Sequence, residues 1–172
     1  MKNKIIPTQV EKVMRENDFI VSTTDTKGRI TYGNRIFVEF SGYSWQELVG
    51  AQHNIIRHPD MPRSVFNLLW EVIQAGHECN AYVKNLAKDG SFYWVFANVT
   101  PLFDPGGRIE GYFSVRRKPK VESVKVMAGI YRTLLEVEQQ AGAREAIPAA
   151  TKVLHQVLAD KGVDYDEFIM SI

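Results

Sequence analysis

Apolar and polar positions recur with two different periods along this chain, and the changes of period mark its elements. Val10, Val13 and Met14 fall at i, i+3 and i+4 after Pro7, a spacing that predicts a short amphipathic helix. The β-branched run Phe19-Ile-Val-Ser-Thr-Thr24 predicts a strand. Asp25-Thr-Lys-Gly28 then makes a turn, and residues 29–33 return as the hairpin partner. A block of short helices follows. Asn34 is placed to cap one carrying Ile36, Phe37 and Phe40 and closed by Gly42. Ser44-Trp-Gln-Glu47 has the spacing of a capping box, with Gly50 as the stop. After Pro62 a longer helix presents Val65, Phe66, Leu69, Trp70 and Ile73 along one side and stops at Gly76. Three further strands are expected over 79–87, 91–101 and 108–117. Lys88-Asp-Gly90 and Asp104-Pro-Gly-Gly107 separate them, and Asp-Gly between β-prone runs is a strong hairpin signal.

That order predicts an α+β fold, a five-stranded antiparallel sheet with helices gathered on one face. From Lys118 the rhythm turns helical. Val124, Met127, Tyr131, Leu134 and Leu135 form one stripe ending before Gly142. A second helix is expected from Pro148, with Val153, Leu154, Val157 and Leu158 inward and Gly162 as its stop. Asp164-Tyr-Asp-Glu167 opens a last short helix with an acidic first turn that suits the helix dipole. The expected organisation is therefore an N-terminal helical cap over 1–17, a sheet-and-helix domain over 18–118, and a C-terminal helical extension over 119–172. The apolar stripes of the extension must be buried somewhere. Either they fold back on the chain's own sheet, or they form a homodimer or dock a partner.

Composition narrows the function. Of 172 residues 45% are hydrophobic and 24% charged, which suits a globular domain. A formal net charge of +1 offers no global footprint for nucleic acid or an anionic membrane surface. The single cysteine, Cys79, excludes an internal disulfide and multi-cysteine metal sites. No apolar run is long enough for a membrane span or a signal peptide, so a cytoplasmic protein is expected. No nucleophile elbow, phosphate-cradling Gly-rich loop or His-Glu-x-x-His metal helix occurs, so no enzyme is expected.

Several stretches within 18–118 carry a family resemblance: Ser22-Thr-Thr-Asp25, Gly28-Arg-Ile-Thr31, Ser41-Gly-Tyr43, Glu47-Leu-Val-Gly50, Lys88-Asp-Gly90, and above all His53-Asn-Ile-Ile-Arg-His-Pro-Asp-Met-Pro62. The region resembles the PAS domain of bacterial aerotaxis receptors. Ser-Gly-Tyr and Lys-Asp-Gly are shared by PAS domains generally, whereas Arg57-His-Pro-Asp-Met-Pro62 points to the aerotaxis group. The resemblance implies a non-covalent flavin, FAD, whose redox state is reported to a chemotaxis-type signalling partner. Where that family commonly has a tryptophan, this chain has Cys79. The Asn-Cys-Arg-Phe-Leu motif of light-sensing PAS domains is absent, so Cys79 is expected to be a buried structural thiol.

Candidate site residues follow from chemistry and resemblance together. Arg57 has the planar donor fork that matches phosphate oxygens, with His58 and Asp60 beside it to donate or orient. The alternative is a surface turn in which Arg57 and Asp60 pair. Asn34, Asn85 and Asn98 could meet the donors and acceptors of a flavin's pyrimidine edge; the alternatives are that Asn34 only caps its helix, the reading its position favours, and that Asn85 and Asn98 pair with backbone at strand ends. Phe66, Trp70 and Trp94 could wall an apolar slot, or simply fill the core. Heme is the alternative cofactor, with His53, His58 and His77 as available ligands, and a cofactor-free dimerisation module is the alternative function. Arg116-Arg117-Lys118 reads as a solvated sheet edge.

Overall fold

The computed structural model describes residues 5–172. Five strands, β1 (Ile20–Asp25), β2 (Ile30–Gly33), β3 (Cys79–Leu86), β4 (Phe92–Phe103) and β5 (Ile109–Arg117), form one antiparallel sheet in the order β2-β1-β5-β4-β3. Between β2 and β3 lie α1 (Arg35–Ser41), α2 (Trp45–Leu48), a 3-10 turn at His53–Ile56, and α3 (Arg63–Gln74). The α+β arrangement expected from the element order is therefore present. Local chemistry fixes the helix ends: the Asn34 side chain accepts from Phe37 N, and Ser44 and Glu47 complete a capping box.

The N-terminal helix expected within 1–17 does not form. Its first four residues lie outside the described part of the chain, and residues 5–16 contain no helix. Instead the segment runs extended beside β4: Thr8 N donates to Gly90 O, Phe92 N to Val10 O, and Lys12 N to Phe92 O. Met14 is buried while Val10 and Val13 are exposed, so the helical spacing of these residues was not a packing stripe. Backbone pairing with a neighbouring strand outweighed a weak local preference.

Beyond β5, α4 spans Val121–Lys161 and α5 spans Tyr165–Ser171. Gly142, at φ 75° and ψ 171°, breaks α4 into two arms. That conformation is essentially confined to glycine. The second arm starts directly after this break rather than at Pro148. Ile130 and Leu134 border the same crevice as Val153 and Val157, so the arms fold into a hairpin. The hairpin packs against α3, and α5 packs along the edge strand β3. Met127, Tyr131, Leu134, Leu154, Leu158, Phe168 and Ile169 join the same core as Phe37, Val83 and Tyr93. The apolar stripes of the extension are thus buried within the chain itself. No helix among the described residues is long and apolar enough to cross a membrane.

A cavity with unpaired donors on the inner face of the sheet

Side chains alternate across a strand, so the pairing register decides which residues face the helices. Asn85 pairs with Tyr93, Val83 with Val95, Ala81 with Ala97, Ala97 with Arg116, and Ser22 with Ser114. These form the inner face. Between it and the helical block lies a cavity of about 380 Å³. Val83, Ala97, Val99 and Ser114 keep the sheet side low, while Phe66, Leu69, Trp70 and Ile73 of α3 form the opposite wall. Pockets for small molecules commonly combine such apolar walls with a few polar anchors. Gly28 is required at one corner. It sits at φ 76°, and a Cβ there would lie 3.0 Å from the Trp70 indole.

The polar anchors are unusual. Arg116 is 2% exposed, and its Nη2 donates to Ser22 Oγ. Among the described residues its Nε and Nη1 have no partner, nor does Asn85 Nδ2. The Arg116 guanidinium sits 4.8 Å from the centre of the Phe37 ring, and no carboxylate among the described residues pairs with it. Burial lowers its pKa to about 10, so it stays cationic at neutral pH. Ser22 Oγ also lies 3.2 Å from His53 Nε2. With Oγ accepting from Arg116, its hydroxyl hydrogen is free to donate to that nitrogen, which fixes a neutral imidazole. Burial and then the Arg116 charge push the His53 pKa down to about 3, in keeping with this. His53 stacks on Phe37 at 5.9 Å and lines the cavity.

Of the nine residues singled out from sequence, Arg57, Phe66, Trp70 and Asn85 line this cavity. Arg57 donates to Met61 O and lies 4.7 Å over the Phe66 ring, and burial lowers its pKa. Its pairing with Asp60 does not occur. Asp60 instead bonds Lys84 at 2.6 Å and lies outside the cavity. His58 is buried beside Phe92, with Nδ1 accepting from Asp60 N, and is likewise not on the cavity wall. Asn34 is consumed by structure: its oxygen accepts from Val21 N and Phe37 N, and its Nδ2 donates to Phe19 O. Trp94 and Asn98 face the opposite side of the sheet. Trp94 stacks on Tyr131, and Asn98 donates to Asn80 and Glu78. Cys79 is buried with Ile73 and Tyr112, its thiol pushed up to about 12 by burial, as expected of a structural cysteine.

Arg116 and Ser22 had not been singled out, and Arg116 corrects an expectation: it is no solvated edge. The available signal was parity. Once β5 is paired so that Gly111 opposes Asp25, Ser114 and Arg116 must share a face with Ser22.

Comparisons with known proteins agree with this architecture. Residues 8–118 match the family described as PAS fold. The chain is 39% identical to the aerotaxis receptor of Escherichia coli (strain K12), over 74% of this chain and 25% of the receptor. It is 27% identical to a nitrogen fixation regulatory protein of Klebsiella pneumoniae, over 79% of this chain and 27% of that protein. The chain thus spans about a quarter of the length of these relatives. Among solved structures, the light state of the blue-light photoreceptor Aureochrome1 LOV superposes with a TM-score of 0.57 at 22% identity, over 66% of this chain and 90% of that one. At that identity the likeness is one of fold.

Proposed function

This chain belongs to the PAS family, and we propose that it is a sensory domain that binds FAD non-covalently. In this reading it reports redox state, or the oxygen that sets it, to a chemotaxis-type signalling partner. Residues 18–118 are the sensing unit and 119–172 the extension that passes its state onward. The observation that carries the proposal is the set of buried donors, Arg116 Nε and Nη1 and Asn85 Nδ2, left without partners among the described residues beside an apolar cavity. Buried donors are costly unless something accepts from them, and a cation without a counter-charge asks for an electron-rich ligand. The 39% identity to an aerotaxis receptor supports a flavin over other such ligands.

The residues fit the group. Phe66, Leu69 and Trp70 would wall a planar ring, Asn85 and Arg116 would meet its acceptor-bearing edge, and Arg57 with Arg63 would meet an anionic tail. A bound flavin supplies reversible electron transfer coupled to a change in ring protonation. The chain's part is to register that change. Arg116 is a fixed charge. The Asn85 amide, by contrast, can present either its oxygen or its nitrogen. A flip of Asn85 would be felt along the edge strand β3, against which α5 packs. Heme is less well served. Of the three histidines considered as axial ligands only His53 lines the cavity, and its Nε2 is engaged with Ser22.

The absorption spectrum of freshly purified full-length protein tests the proposal, with FAD identified after release by denaturation. A flavin spectrum is expected. Colourless protein that takes up no added FAD would sink it, and a heme spectrum would replace it.

A further inference from the structure

The C-terminal extension reaches both the cavity and the helix that walls it, through contacts that the sensing proposal does not use. Ile147, on the second arm of α4, lines the cavity. Arg63 lines it as well, and its Nη1 donates to the Ala143 carbonyl at 3.4 Å, just past the Gly142 break. The third contact is Glu138, whose side chain is buried at 7% exposure. Its carboxylate accepts from Arg63 N at 3.0 Å, Ser64 N at 2.9 Å and Ser64 Oγ at 2.8 Å.

Those two amides open α3, whose N-cap is Pro62 and has no side-chain capping bond. The first N–H groups of a helix have no partner within it and carry partial positive charge, so an acceptor, best an anionic one, must come from elsewhere. Here it comes from a residue 74 positions downstream of Ser64. The helix so capped is the one that supplies Phe66, Leu69, Trp70 and Ile73 to the cavity wall. The extension therefore both contributes surface to the cavity and holds the wall opposite the sheet.

We infer that the α4 hairpin is part of the ligand site: Ile147 closes one side of the cavity, Glu138 fixes the α3 wall, and hairpin docking is linked to occupancy. Linkage is reciprocal. A ligand that touches the docked arrangement must stabilise docking by the factor by which docking tightens the ligand. The inference rests on the flavin reading, so FAD is the probe.

The test measures FAD affinity by fluorescence and backbone amide exchange over residues 143–161, in the full chain with and without saturating FAD. Wild type is compared with Glu138→Gln, which keeps shape but removes the charge that caps α3, and with Ile147→Ala, which trims the wall. FAD is expected to slow exchange over 143–161 about tenfold in wild type. The Glu138 variant should bind FAD about tenfold more weakly and show faster exchange over the arm. The Ile147 variant, circular dichroism unchanged, should bind several-fold more weakly. Should the Glu138 variant not fold, the Ile147 variant decides. Exchange that ignores FAD, or wild-type affinity in the Ile147 variant, would overturn the linkage while leaving the flavin reading intact. Absence of FAD uptake by wild type would sink both.

Discussion

The two faces of the sheet solve opposite problems with the same strands. On the outer face Tyr82, Trp94 and Phe96 are large; Tyr82 and Phe96 are buried and Trp94 half-buried. Tyr82 and Phe96 lie 4.9 Å apart, Trp94 stacks on Tyr131, and the Tyr131 hydroxyl donates to the Tyr82 carbonyl at 2.6 Å. On the inner face the intervening positions Val83, Ala97, Val99 and Ser114 are small, and the polar groups among them keep unpaired donors. One face is closed by its own side chains and the other is left hollow. A hollow lined by small residues and an uncompensated cation is not what packing alone selects, since interiors otherwise fill to crystal-like density. The contrast separates a face that only packs from one that packs around its rim, through Tyr93 and Val95, and leaves room for a ligand at its centre.

The strongest way to break the contrast is from outside. Tyr131 is 2% exposed, and truncating it removes a large buried ring and the donor to Tyr82 O. Tyr131→Ala should cost about 3–5 kcal/mol of unfolding free energy, measured in urea, as for other large core aromatics. A loss below about 1 kcal/mol would mean that the hairpin does not anchor the outer face.

The inner face should respond in the reverse direction. Replacing a buried, imperfectly paired ion by an apolar group of similar length is often neutral or stabilising by about 1–4 kcal/mol. Arg116→Met should therefore leave the ligand-free protein as stable as wild type or more so. FAD affinity should fall by about 10- to 100-fold, the worth of charge-assisted hydrogen bonds. Stability and binding moving apart in one variant would mark Arg116 as a binding residue. A variant that unfolds would mark it as structural.

How much of this was legible beforehand depended on whether a signal was local. Turn chemistry and caps, such as Lys88-Asp-Gly90, Ser44 with Glu47, and the stop at Gly76, are decided within a few residues and were readable. Register is not local. Asn85 and Asn98 looked like partners at one site, yet Asn98 pairs with Asn80, an odd number of residues from Asn85, and so faces the other way. Trp94 fails by the same parity, since Asn85 lies opposite its neighbour Tyr93. Arg116 was lost in a run of basic residues in which only strand pairing distinguishes the buried member from the exposed Arg117. The capping of α3 by Glu138 was beyond reach, because nothing near Pro62 says that its acceptor lies in α4.

The smallest expected effect sharpens the inner face by pH. His53 titrates near 6.5 when unfolded, but in the fold burial and the neighbouring Arg116 charge bring it down to about 3. Between those values the unfolded chain binds a proton that the folded chain refuses. Stability therefore rises with pH across the window and is lost as pH falls below about 6.5, at about 1.4 kcal/mol per unit for one such group. His58, also lowered by burial, acts in the same direction. His53→Gln should leave Ser22 a hydrogen-bond acceptor while removing the titration. Urea unfolding from pH 7 to pH 4.5 should show an acid limb shallower by about 1.4 kcal/mol per unit than wild type. Parallel limbs would mean that His53 is hydrated in the native state, and that the Arg116–Ser22–His53 chain does not exclude water from this side of the cavity.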